Sequence, residues 1–108
     1  MFEIRRYRTT TGSEPFSDWL SGLHDRQAKA RILARLERLG VGNFGDSKFL
    51  RDGVRELRVD WGPGYRVYYA MVDRTTVLLL CGGDKRKQTV DIRRAVEFWE
   101  DYKRRTDD

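Results

Sequence analysis

The sequence predicts an α+β domain in the order β-α-α-β-β-β-α, with a small, mostly antiparallel four-stranded sheet packed against helices. Three observations predict it. Two neighbouring stretches, Phe16 to Leu23 and Ala28 to Leu39, repeat apolar residues at helical spacing. Three stretches between Val54 and Cys81 alternate or run apolar over strand-length windows. A last helical pattern, Ile92 to Tyr102, follows them. At 108 residues the chain fits one domain, residues 1–108, with one hydrophobic core and little surplus.

In FEIRRY, Phe2 and Ile4 alternate with Glu3 and Arg5, which suits a short strand that TTTGS then breaks. Ser13 is the expected N-cap of the first helix, and Pro15 in its first turn lacks an N–H that would otherwise go unpaired. Phe16, Trp19, Leu20 and Leu23 form its apolar face. Asp25 is the expected cap of a second helix, whose stripe Ala28, Ile32, Leu36 and Leu39 ends at Gly40. The other side of that helix carries Arg26, Lys29, Arg31, Arg35 and Arg38, which reads either as a solvated face or as a surface for nucleic acid or an acidic partner.

From Gly40 to Gly53 the spacing predicts a glycine-punctuated loop, with Phe49 and Leu50 between Lys48 and Arg51. VRELRVDW alternates as a half-buried strand, Gly62-Pro63-Gly64 forms a turn that sets Trp61 opposite Tyr65, and GYRVYYAMV returns. After a turn at Asp73-Arg74, TTVLLLC is apolar without a break, as expected of an inner strand covered on both faces. Thr89 is the expected cap of the last helix, in which Ile92, Ala95, Val96, Trp99 and Tyr102 share a face.

Lys and Arg outnumber Asp and Glu by 22 to 17, a net charge of +5, which favours an anionic partner. Cys81 alone makes no internal disulfide, and with the single His24 it assembles no ordinary Cys/His zinc site. Cys81 reads as a small buried hydrophobe, His24 as a capping or exposed residue, and Trp19, Trp61 and Trp99 as core. No apolar run is long enough to cross a bilayer, and MFEIRRYR lacks the apolar segment of a signal peptide, so the expectation is a soluble cytoplasmic protein.

With Trp61 opposite Tyr65, Asp60 would face Arg66 and Arg58 would face Tyr68, gathering Glu56, Arg58, Asp60, Arg66 and Tyr68 on one sheet face. On an open face these are cross-strand ion pairs of roughly 0.2–1 kcal/mol each. The end of the apolar strand delivers Lys85, Arg86 and Lys87 beside them, and the set then describes a groove for single-stranded nucleic acid with Tyr68 as stacking platform. Lys48 and Arg51 extend its cationic rim. Gly82 and Gly83 permit unusual backbone angles and let a ligand approach, or simply form a turn or bulge. Arg58 and Arg66 suit phosphate because the guanidinium fork donates two parallel bonds; for acid/base work the candidates are Glu56, Lys85 and Lys87.

The segments ELR, GYRVYY and LLLCGGDKRKQTVDIRRA, in this element order, resemble the RelE/HigB-type toxins of bacterial type II toxin-antitoxin systems, in particular the addiction module killer, or Gp49-like, subgroup. The resemblance covers Phe2 to about Arg105. It implies a metal-independent endoribonuclease that cuts messenger RNA, in many members on the ribosome, and that a cognate antitoxin, commonly of helix-turn-helix type, silences in a hetero-oligomer. In that chemistry the ribose 2′-hydroxyl attacks the adjacent phosphate, so cations must stabilise the phosphorane and other groups must move protons. Arg66 matches the phosphate-binding arginine of such toxins, Glu56 and Arg58 fall on the preceding strand where members place charged groups, and Lys85 and Arg86 match the basic segment after the last strand. Where several members carry a tyrosine or histidine near the start of the last helix, this chain has Gln88, Thr89, Asp91 and Ile92, which leaves Lys85, Lys87 or Tyr68 as the proton donor. The same superfamily includes ParE-like gyrase poisons, and a non-catalytic module binding RNA or antitoxin is the third reading.

Overall fold

The computed structural model describes residues 1–106. Its elements are β1 (Glu3–Arg6), α1 (Pro15–Gly22), α2 (Arg26–Gly40), β2 (Ser47–Arg51), β3 (Val54–Val59), β4 (Tyr65–Met71), β5 (Thr76–Asp84), a single 3-10 turn (Lys85–Lys87) and α3 (Gln88–Thr106). The five strands form one sheet in the order β1-β5-β4-β3-β2, antiparallel except where β1 runs parallel to β5.

The apolar run Thr76 to Cys81 sits inside the sheet because both faces of β5 are covered. On one side α1 and α2 enclose Phe16, Ile32, Leu39, Leu57, Val67, Tyr69, Val77 and Leu79. On the other, α3 encloses Tyr7, Val54, Tyr68, Ala70, Leu78, Leu80, Cys81, Ala95 and Trp99. β3, β4 and β5 thus alternate between two cores, which is why β5 reads as continuously apolar. Asp25 caps α2 as expected, accepting from the backbone N–H of Gln27 and Ala28.

Several expectations are corrected. The sheet has five strands, because Ser47–Arg51 pairs with β3 where a loop was expected. SKFLR lies at the edge with Phe49 58% exposed, so it lacks the apolar alternation by which a strand is recognised. The β3–β4 register is shifted: Val59, not Trp61, faces Tyr65, so Arg58 faces Arg66 and Glu56 faces Tyr68. The connection spans residues 60–64, with positive φ at Gly62 and Gly64. α1 begins after Glu14 with no side-chain cap, and Ser13 instead bonds Thr9. Thr89 lies within α3, and the capping carboxylate is that of Asp84, which accepts from the Arg86 N–H and starts the turn that leads into the helix. α2 runs through Gly40, and the left-handed residue that follows it is Gly42.

Gly82 and Gly83 are not a turn but the end of β5, and neither has a positive φ. They are small because of what lies against them. A Cβ on Gly82 would fall inside the indole of Trp19, and one on Gly83 inside the carboxylate of Asp91. The pair lets α1 and α3 close on opposite faces of the same strand end. No helix among the described residues is long and apolar enough to cross a membrane.

Candidate nucleic-acid interface

At the end of the sheet where β3 leaves and β4 enters, the loop 60–64 and the end of β5 enclose a cleft of about 330 Å³, lined by Asp46, Arg58, Val59, Asp60, Gly64, Tyr65, Arg66 and Lys85. Arg58 and Arg66 are direct cross-strand partners. Two like charges at that spacing repel, and the chain answers with a carboxylate for each. Arg66 Nε donates to Glu56 Oε1 at 2.8 Å, with the side chains 11% and 2% exposed. Arg58 donates from Nε and Nη2 to Asp46 Oδ1 at 3.1 and 2.7 Å. Lys85 also lines the cleft, and its backbone N–H donates to the Gly64 carbonyl at 2.9 Å.

The loop that carries Asp46 is held by a residue of α2. Arg35 reaches from α2 under the loop 41–46, donating to the carbonyls of Phe44 at 3.2 Å and Arg58 at 2.5 Å. Burial, then the neighbouring Arg38, lowers its pKa from the usual guanidinium value. Gly45, at φ +60, lies against the Arg35 guanidinium, where a Cβ would come within 2.9 Å of it. Its spacing, three after Ile32 and four before Leu39, sets Arg35 at the edge of the apolar stripe, but its partner 23 positions away has no periodic signature.

Of the expected site residues, Arg58, Arg66 and Lys85 line one cleft, and Glu56 sits immediately behind Arg66. Lys48 stands opposite Glu56 on the edge strand, exposed. Arg86 does not line the cleft; it is 81% exposed and paired with Asp84 at 2.9 Å, and Lys87 is exposed on the same turn. Arg51 lies at the far end of β2, opposite Val54, paired with Asp52 at 2.6 Å.

Tyr68 corrects the expectation of a stacking platform. It is fully buried beneath α3, and its hydroxyl finds no partner among the described residues. Burial, with the nearby Asp91 and Glu56 charges, raises its pKa well above the usual phenol value. Asp91, on the first turn of α3, is also buried, with Oδ2 unpartnered and its carboxyl pushed up by desolvation. The thiol of Cys81 is pushed up to about 12 by burial and so stays protonated, an inert core group as expected. Among the described residues no group of three or more His, Cys, Asp or Glu is placed to hold a metal ion.

A five-stranded sheet held between two helical layers, with facing arginines and a lysine at one end, defines a small basic α+β protein with a charged cleft at the sheet end. Residues 18–97, which include every residue lining that cleft, match the family described as phage derived protein Gp49-like (DUF891). An uncharacterized protein of Haemophilus influenzae is 54% identical over 80 residues, 74% of this chain and 81% of the relative. The chain belongs to the Gp49-like family, which is associated with toxin-antitoxin systems. Leucine–tRNA ligases of Flavobacterium johnsoniae and Flavobacterium psychrophilum are 38% and 40% identical to it over 53 residues, about half of this chain and 6% of each ligase. So small a share of those enzymes carries no activity across.

Proposed function

We propose that the chain is the toxin of a type II toxin-antitoxin pair and acts as a RelE/HigB-type endoribonuclease on messenger RNA, on ribosomes in the cytoplasm, until a cognate antitoxin binds it. The observation that carries this reading is Arg58 facing Arg66 across β3 and β4 with Lys85 on the same cleft wall. A phosphodiester seated there meets cationic donors from three elements. When the ribose 2′-oxygen attacks phosphorus and the P–O5′ bond breaks, the extra negative charge of the phosphorane falls between these groups, where fixed donors stabilise it more than they stabilise the ground state.

Each residue has a distinct part. Arg66 uses Nε on Glu56 and presents its terminal nitrogens, which bond no described residue, to the phosphate. Glu56, 2% exposed, holds that fork in place and is not itself positioned at the substrate. Arg58 exchanges Asp46 for phosphate on binding. Lys85 delivers a proton to the departing 5′-oxygen, and the 2′-hydroxyl proton leaves to solvent at the open mouth of the cleft. The products are a 2′,3′-cyclic phosphate and a 5′-hydroxyl, so atoms and charge balance without a metal.

Induction in bacteria tests the reading. The wild-type chain is expected to arrest growth with fragmented transcripts, and Arg58→Ala to relieve the arrest while accumulating to the same level. Arrest with intact transcripts and broken DNA would instead identify a gyrase poison, and wild-type binding to ribosomes without cleavage would identify a non-catalytic module.

A further inference from the structure

Two elements carry most of the unbalanced positive charge, the turn Lys85–Lys87 and, over a longer surface, α2. α2 carries Arg26, Lys29, Arg31, Arg35 and Arg38 against the single acid Glu37, a net +4 out of the chain's +5. The remainder of the chain is therefore close to neutral, and the cleft reflects this, with Glu56 on Arg66 and Asp46 on Arg58. Such pairs fix geometry, but they project little attraction beyond the cleft mouth. Arg26, Arg31 and Arg38 are exposed and join no ion pair among the described residues.

This face meets the loop that borders the cleft. The Arg31 guanidinium lies 3.8 Å over the ring of Trp61, whose Nε1 donates to Asp25, the cap of α2. Trp61 belongs to the loop 60–64, and its neighbours Asp60 and Gly64 line the cleft. Beyond Trp61, Arg31 and Arg38 flank a shallow depression of about 390 Å³ floored by Ala30 and Ala34, where short side chains leave the arginines room to reach an approaching chain. Trp61 thus links the arginines of α2 to the loop that borders the cleft.

We propose that the outer face of α2, through Arg26, Arg31 and Arg38, binds the phosphate backbone of the RNA strand that runs out of the cleft. This rests on the ribonuclease reading of the cleft and divides the labour within it. α2 supplies the salt-sensitive affinity and the paired arginines of the cleft supply the geometry. The occupant is RNA because planar guanidinium forks spaced along a helix, with almost no acid among them, match a repeating phosphate and release its counterions on binding.

The test is fluorescence anisotropy of a 12-nucleotide 2′-O-methyl RNA, which cannot be cleaved, titrated with the full chain from 50 to 200 mM salt. The triple variant Arg26→Gln, Arg31→Gln, Arg38→Gln is compared with Arg93→Gln, Lys103→Gln, Arg104→Gln, which removes the same charge from α3, with circular dichroism confirming both folds. Loss of three phosphate contacts should make the slope of log affinity against log salt shallower by about 2, and affinity at 0.1 M salt should fall at least about tenfold for the α2 variant only. An unchanged slope, an equal loss in both variants, or no binding by the wild type at 50 mM salt overturns the proposal. So does an α2 variant that binds RNA normally but no longer associates with the inhibitory partner, since that face would then belong to a protein. A wild-type chain that shows the slope difference yet cleaves no message overturns the ribonuclease reading and leaves the α2 surface standing.

Discussion

Arg66 and Arg38 are the same residue in opposite settings. Arg66 is 11% exposed, with Nε fixed on a carboxylate that is itself 2% exposed, and it stands in a cleft shared with Arg58 and Lys85. Arg38 lies on the open side of α2 with no carboxylate beside it among the described residues. The first arrangement loses net charge and gains a fixed direction, as transition-state stabilisation requires. The second keeps its charge and its freedom, as attraction of a polyanion requires. A count of basic residues merges the two kinds, and only the placement of Glu56, Asp46 and Glu37 separates them.

The largest effect that tests this contrast is on stability. Arg66→Ala strands Glu56 in the sheet, and losing one member of a buried pair costs about 3–5 kcal/mol. Urea denaturation should show that loss. Arg66→Lys keeps a cation beside Glu56 and should fold nearly as the wild type does, while its cleavage rate drops by roughly 10²–10³ for want of the fork. An Arg66→Ala chain as stable as wild type would mean that the pair is not the buried, interdependent unit described.

Next in size is the wall on which the cleft is built. Gly83→Ala places a methyl group inside the Asp91 carboxylate, and overpacking of that kind costs about 1–3 kcal/mol, read as a lower urea midpoint at unchanged m-value. A neutral result would show that α3 shifts freely on β5.

A smaller and pH-dependent effect belongs to Asp91. Burial raises its pKa in the folded chain above the ordinary 3.8, so the folded state holds that proton more tightly than the unfolded state does. The stability this confers is present below 3.8 and lost as pH rises through the folded pKa, and at pH 7 the buried charge is a cost. Asp91→Asn should therefore raise the melting temperature at pH 7, with a gain that shrinks towards pH 4. A loss of stability at pH 7 would mean that the Arg94 guanidinium, 3.9 Å away, governs the carboxylate instead. Smallest of all, Arg38→Ala should move stability by no more than about 0.5 kcal/mol by the same urea assay.

How much of this was legible depended on the range of the interaction. The helices, the inner strand and the Asp25 cap were readable because period and capping chemistry are local, within a few residues. β2 was not, since an exposed edge strand owes its form to hydrogen bonds with β3 and carries no apolar alternation. The register departs from the expected one for a single reason: the connection spans residues 60–64 rather than three residues, which sets Arg58 opposite Arg66 instead of Tyr68. Tyr68 was misread as a result of alternation itself, which places it on the polar face without revealing that α3 covers that face. Arg35 and Asp46 were invisible because they act through contacts with a strand distant in sequence.

Single-turnover cleavage of a ribosome-bound message tests the central claim most directly, with the wild type, Arg58→Ala and Arg66→Lys compared at equal folded concentration. The account predicts fragments ending in 2′,3′-cyclic phosphate and 5′-hydroxyl for the wild type, and rates lowered at least about a hundredfold in both variants. Wild-type binding without cleavage, or variants that cut at the wild-type rate, would contradict it.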